Sequence, residues 1–231
     1  MEKISRCELK SNSNSKPMEG SFGKVIKVNF DGKTYAYKFF KNPEYFAHIK
    51  EKIILMADTV NIPGINLPTY LVGNNGYLTP WAGESSIASC MKKPATAKRE
   101  LKNLSKVIKA LGKINLLHGD IRIPNIAYCP NSNPCSTIID FDNASYKGFE
   151  FCHDFAAIDA HIYIKKFGIE TLDTYMFNIV TFCILNNIFP KELKSKITSE
   201  DFGVFTQPKA KTLCKNFYTK PHHQFLIDTY K

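Results

Sequence analysis

Lys38 constrains this sequence more than any other residue. It stands inside Lys33–Phe40 (KTYAYKFF), an aromatic-rich run that reads as a strand. The Asp31-Gly32 turn and the near-alternating Lys24–Asn29 (KVIKVN) precede it, so the two runs predict a hairpin. An ammonium in the middle of an apolar strand is costly to bury without a partner. A fold that uses this hairpin centrally must bring anions to Lys38, and phosphates and a carboxylate are its natural partners. Glu51, in the helical stretch Pro43–Asp58, is the carboxylate expected. The plainer alternative is an edge strand with Lys38 turned to solvent.

Three further segments bear on the same question. Gly20-Ser21-Phe22-Gly23 precedes the first strand of the hairpin, and glycines there let main-chain N–H groups approach phosphate oxygens. His118-Gly119-Asp120-Ile121-Arg122-Ile123-Pro124-Asn125 places an Asp and an Asn five apart on a loop that leaves a helix and enters a strand. Asp120 can accept a hydroxyl proton there and Asn125 can ligate a metal. Ile138-Ile139-Asp140-Phe141-Asp142 ends an apolar strand in carboxylates, oxygen ligands of the kind Mg²⁺ prefers. Each segment alone is a commonplace turn. His118 reads as a buried support of the loop, with Asp120 better placed for proton transfer.

Together and in this order, the segments make the sequence resemble the protein kinase-like superfamily from about Met18 to about Phe167. The resemblance implies an α+β, two-lobed protein kinase-like fold. Residues 1–83 would form a β-rich, ATP-binding N-lobe with one helix, and residues 84–231 an abbreviated, mainly helical C-lobe, together one kinase-like domain. It implies ATP and Mg²⁺ as cofactors. Gly20, Ser21, Phe22 and Gly23 would form the phosphate loop, with Val25 and Ala36 packing on the nucleotide. Lys38 would hold the α- and β-phosphates and be held by Glu51. Thr79 would stand at the gatekeeper position and Trp81–Gly83 at the hinge, with the Ala82 backbone facing adenine. Asp120 matches the aspartate that receives the acceptor's proton, and Arg122 stands where a lysine is usual. Asn125 and Asp140 match the metal ligands, and Asp142 would add a carboxylate near the metal. Asp154 resembles the buried aspartate that anchors the loop of Asp120 from the next helix.

The pattern departs from typical protein kinases in several places. Met18 replaces the first glycine of the loop, His-Gly-Asp stands for H-R-D, and Asp-Phe-Asp stands for D-F-G. Only fourteen residues separate Asp140 from Asp154, so no A-P-E motif and no long activation segment fit between them. Small-molecule kinases resembling aminoglycoside and choline phosphotransferases share these features. Divergent kinases of the fungal and Crinkler-effector type do so as well. Against the small-molecule reading, Gly20–Val25 and Tyr35–Lys38 are closer to protein kinases, and the short C-terminal region leaves little room for a small-substrate subdomain. The expectation is a serine/threonine protein kinase that needs no activation-loop phosphorylation. A small-molecule phosphotransferase and a pseudokinase-like binding module are the alternatives.

Composition sets the outer bounds. The 231 residues are 44% hydrophobic and 23% charged, enough for a packed core and inconsistent with disorder as the main state. Most of the net charge of +10 gathers between residues 92 and 113, where eight basic residues face one acid. Lys98, Lys102, Lys106, Lys109 and Lys113 fall on one helical face, away from Leu101, Leu104, Ile108 and Leu111. The plain reading is a solvated, lysine-rich face; the sharper one is a docking surface for an acidic partner, nucleic acid or an anionic membrane. No run reaches the roughly 20 apolar residues of a membrane span. Seven cysteines without framework spacing, and an N-terminus without an apolar core, predict a reduced, cytoplasmic protein. Cys129 and Cys135 read as ends of a hairpin loop rather than metal ligands. Phe217, Phe225 and Tyr230 are expected to pack the C-terminus onto the helices.

Overall fold

Asp31 and Gly32 both take left-handed backbone conformations, with φ of 47° and 69°, as a two-residue hairpin turn requires. The turn closes the expected hairpin, setting Phe30 opposite Lys33 and Gly23 opposite Phe40. The computed structural model describes residues 1–11, 16–152, 160–198 and 225–229. In chain order its strands are β1 (Glu2–Ile4), β2 (Lys10–Ser11), β3 (Met18–Glu19), β4 (Gly23–Phe30), β5 (Lys33–Phe40), β6 (Tyr70–Val72), β7 (Gly76–Pro80), β8 (Ser85–Ser86), β9 (Ile126–Tyr128) and β10 (Ser136–Ile138). Its α-helices are α1 (Pro43–Thr59), α2 (Pro94–Lys113), α3 (Ala160–Phe167), α4 (Leu172–Asn186) and α5 (Pro190–Thr198).

The fold is α+β. The first seven strands make one mixed sheet in the order β1-β6-β7-β5-β4-β2, with β3 also pairing with β4. Only β1 on β6 runs parallel. Strands β8, β9 and β10 form a small antiparallel sheet beside the helices. Side chains alternate along β5 with the period of a strand. Tyr35 and Tyr37 join Ile4, Val28, Val72 and Leu78 in a cluster on one face of the sheet. Phe40 packs on the opposite face against Phe46, Ile49, Ile53 and Met56 of α1. Ala36 and Lys38 share the face of Phe40, so the strand's period aims Lys38 at the helical side.

The chain enters α1 through Asn42, whose Oδ1 accepts the N–H groups of Glu44 (2.8 Å) and Tyr45 (3.4 Å), with Pro43 in the first helical position. Helix α2 buries Leu101, Leu104, Ile108 and Leu111, the stripe read from the sequence. Its one acid, Glu100, is buried too, accepting from Ser136 Oγ and Arg99 Nε, each at 2.9 Å. Lys98, Lys102, Lys106 and Lys113 are exposed. Lys109 pairs with Asp228 (2.9 Å) and lies over the Phe225 ring. Phe225 packs on Phe177 of α4, as expected of the C-terminus; Phe217 and Tyr230 lie outside the described residues. Helix α4 is apolar around most of its circumference and buried accordingly.

Among the described residues no helix is long and apolar enough to cross a membrane. The six described cysteines are free thiols, and Cys129 and Cys135 face each other across the β9–β10 loop. Strands β1, β2, β3 and β8 and helix α5 lie outside the sequence expectation. Strands of two or three residues carry too few positions to show a period.

Candidate functional site

Lys38 and Tyr77 are register partners on β5 and β7, so their side chains emerge side by side. Lys38 Nζ hydrogen-bonds to Asp140 Oδ1 and lies 2.6 Å from Asp142 Oδ2. The Tyr77 hydroxyl donates to Asp142 Oδ1 at 2.5 Å. Burial alone would push the Lys38 ammonium down, but the two carboxylates outweigh it and hold its pKa above the ordinary lysine value. Burial also lifts Asp142 above the usual carboxylate range against the pull of Lys38. It acts on Asp140 as well, yet the charge and hydrogen bond of Lys38 bring that group below the range.

Glu51 does not hold Lys38. It is exposed, and the partners of Lys38 are Asp140 and Asp142. Helix geometry gives the reason. Ile49 and Ile53 point into the core, and Glu51 lies roughly 200° around the helix from each. The charged residue that α1 does turn inward is Lys52, only 1% exposed. Its ammonium reaches Ala144 O (2.7 Å), Cys152 Sγ (3.0 Å) and Glu150 O (3.4 Å), tying α1 to the segment after Asp142.

The loop from His118 to Asn125 is fixed from below. Asp173, at the start of α4, accepts the main-chain N–H of His118 (2.6 Å) and of Gly119 (2.9 Å). This is the anchoring role expected of Asp154, which lies outside the described residues. His118 Nδ1 accepts the Asp120 N–H (3.1 Å) and Nε2 meets Ile139 O (2.9 Å), an arrangement that suits the neutral imidazole with its proton on Nε2. Its ring also meets the edge of Phe141, with centroids 4.5 Å apart. Above this base, Asp120 Oδ2 receives Asn125 Nδ2 at 2.7 Å and Arg122 Nε at 3.0 Å. Burial raises the Asp120 carboxyl above its ordinary range, outweighing Arg122 and the Asn125 hydrogen bond.

Asp140 sits in the left-handed region, with φ 69° and ψ 64°, a costly state for a residue with a side chain. Two neighbours hold it there: Ile139 N–H bonds to Asn125 O at 3.0 Å, and a 3-10 turn follows over Phe141–Asn143. The Asn125 amide spends its nitrogen on Asp120, so its carbonyl oxygen is the group left for a cation. Among the described residues no cluster of three or more His, Cys, Asp or Glu is arranged to hold a metal. A Mg²⁺ site needs no such cluster, since one or two carboxylates commonly act with substrate phosphates. Asp140 and Asn125 offer only hard oxygen donors and fit that pattern. Asp142, expected to add a carboxylate near the metal, contacts Lys38 and the Tyr77 hydroxyl.

The glycine-containing turn faces these groups. At Gly23 a Cβ would overlap the Phe39 carbonyl oxygen, so the close approach of β4 to β5 requires glycine there. Phe22 stacks on Tyr45 of α1, with ring centroids 4.9 Å apart. Gly20, Ser21, Phe22 and Gly23 border a cavity of ≈ 130 Å³ whose other walls include Lys38, Asp120, Arg122, Asp140 and Asn143. That cavity shares Gly20, Val25, Lys38, Arg122, Asp140 and Asp142 with a larger cleft of ≈ 1210 Å³. Ala36, Thr79, Trp81 and Ala82 line the larger cleft, as does Asn125. Lys27 lies over the Trp81 ring and pairs with Glu84 at its rim. Of the catalytic, nucleotide-binding and metal-binding residues read from the sequence, all among the described residues, Glu51 alone lies away from these two cavities. Tyr77, Asn143, Lys52 and Asp173 were not read from it. Lys52 had a signal, since it falls on the inward stripe of α1; a lone Asp in an apolar helix marks Asp173 in the same way.

A scan against protein-family models finds no match, and a search of curated proteins finds none either.

Proposed function

We propose that this chain is an ATP-dependent phosphotransferase, a small two-lobed kinase-like enzyme that moves the γ-phosphoryl group of ATP to a serine or threonine hydroxyl of a protein. One observation carries the reading. A glycine turn, the half-buried Lys38, Asp120 with Arg122 and a second carboxylate converge on one cavity, which shares walls with a cleft of nucleotide size or larger that Asn125 lines. Phosphoryl transfer asks for that set, because its catalysis is mostly positioning and charge stabilisation.

In this reading the adenine lies between Val25, Ala36 and the Thr79–Ala82 segment, and the phosphates run toward the Gly20–Gly23 turn. Lys38 contacts the α- and β-phosphates. Asp140 and Asn125 would hold Mg²⁺, which would neutralise phosphate charge when bound. Asp120 receives the acceptor's hydroxyl proton as its oxygen bonds to the γ-phosphorus. The bond to the β–γ bridging oxygen breaks, and ADP leaves with that electron pair. The raised affinity of Asp120 for a proton suits this task. Arg122 releases Asp120 to face the γ-phosphate, where its charge opposes the negative charge of the transferring group.

A second reading has its own observation. The ≈ 1210 Å³ cleft continues past Asn125 to Ile123, Met176, Ile179, Val180 and Phe189, apolar walls that would suit a small-molecule alcohol as acceptor. Transfer of labelled phosphate from ATP, with protein mixtures in one arm and sugars, amines and nucleosides in the other, separates the two. Labelling of protein serine or threonine supports the first reading and labelling only of small molecules the second. Failure to label in both arms, with ATP bound, would defeat both.

A further inference from the structure

We propose that Asp142, oriented by Tyr77, is the positioning residue that keeps Lys38 in its working place, so that the lysine's support comes from the Asp140–Asp142 turn and the sheet instead of from α1. The inference rests on the phosphotransferase reading and specifies how its phosphate-binding lysine is set. Lys38 touches two carboxylates, and their surroundings differ. Both border the small cavity, but the Asp140 side chain is 33% exposed and the Asp142 side chain only 6%. Asp140 is therefore the exchangeable partner, free to turn to a cation when phosphates arrive. Asp142 is the permanent one.

The ring of contacts closes without α1. Tyr77 is 3% exposed and spends its hydroxyl on Asp142 Oδ1, which leaves Oδ2 for Lys38. That contact is an ion pair at 2.6 Å. The register of β5 on β7 sets Tyr77 directly opposite Lys38. The 3-10 turn Phe141–Asn143 sets Asp142 above both, with Phe141 held against the His118 ring. From α1 the cleft receives Ile53, an apolar side chain with nothing to offer an ammonium. Helix α1 is fastened separately, through Lys52 to Ala144 O. Because Asp140 and Asp142 share one turn, Lys38 and the cation-binding carboxylate are set by the same few residues.

The test is a double-mutant cycle on full-length protein. Asp142→Asn should lower kcat/KM for ATP by roughly 30-fold or more, since it removes the permanent charged partner of Lys38 and leaves only the exchangeable one. Asp142→Glu should recover part of the loss. Tyr77→Phe should cost about 3- to 10-fold, in line with one lost hydrogen bond. Because Tyr77 acts through Asp142, the double variant should be no worse than Asp142→Asn alone, a coupling that independent structural damage would not produce. Asp142→Asn within about twofold of wild type, or losses that multiply in the double variant, would overturn the proposal. Binding of ADP by calorimetry keeps the two claims apart. If the wild-type chain binds ADP but transfers nothing, the phosphotransferase reading fails, and weaker ADP binding in Asp142→Asn still decides for Asp142. Unchanged ADP binding in that variant decides against it. A wild-type chain that binds no adenine nucleotide defeats both.

Discussion

His118 and Asp173, 55 residues apart in the chain, are joined by a 2.6 Å hydrogen bond from the His118 main-chain N–H to the Asp173 carboxylate. The second oxygen of Asp173 takes the N–H of Gly119. A buried carboxylate is expensive, and burial raises this one's pKa although the two N–H groups pull it down. The chain carries this cost at the point where Asp120 leaves the loop. Asp173→Ala would orphan two buried N–H groups and should cost roughly 2–4 kcal/mol of stability. Asp173→Asn, which keeps one acceptor oxygen, should cost less. Chemical denaturation measures both, and a loss below about 0.5 kcal/mol for the alanine variant would deny the anchor its importance.

Asp120 gives a pH signature. Burial holds its carboxyl above the ordinary aspartate range, and a general base works only when ionised. The rate should therefore rise with pH through an inflection above about 3.9, the value for a free aspartate. Arg122 pulls the carboxyl down, so Arg122→Ala should move the inflection to higher pH as well as slow the reaction. Asp120→Asn should abolish transfer and leave ATP binding largely intact. An inflection at or below the free value, or a downward move in the Arg122 variant, would contradict the assignment.

Two neighbouring residues of α1 should behave oppositely. Lys52→Ala removes a donor from the Ala144 carbonyl and leaves a cavity under the helix, which should cost about 2–4 kcal/mol. Glu51→Gln alters an exposed side chain and should stay within about 0.5 kcal/mol of the parent. Unfolding curves compare them directly. Equal losses would mean that the helix faces the other way.

Local chemistry explains what was legible in the sequence and what was not. The Asp-Gly turn, the period of β5 and the leucine stripe of α2 are local signals, and each element lies where its residues point. The glycine turn, Lys38, Asp120, Asn125 and Asp140 line two adjoining cavities, the convergence that their order along the chain leads one to expect. The errors concern which carboxylate meets which cation. Glu51 and Lys52 are adjacent, and only the phase of the helix, set by packing of Phe46, Ile49, Ile53 and Met56, decides which of them turns inward. The Asp173 bonds span more than fifty residues, and no local pattern encodes that distance.

The short segment after Asp142 should make the protein independent of prior phosphorylation. Where phosphorylation switches a kinase, a phosphate ordered by arginine commonly sets the loop. Here other contacts already set it. Leu117 and Ser145 exchange main-chain hydrogen bonds at 3.1 and 2.8 Å. Cys152 N–H reaches Asn143 Oδ1 at 2.9 Å, and Lys52 holds Ala144 O. The residue before Asp120 cannot supply an arginine. Gly119 has φ of +72°, and a Cβ there would come within 2.5 Å of the Phe151 ring, so any side chain at this position is both strained and crowded. Protein stripped of phosphate by a phosphatase, which is then removed, should transfer phosphate at the untreated rate within about twofold. Activity that vanishes on this treatment and returns only after rephosphorylation of the 141–152 segment would refute the prediction.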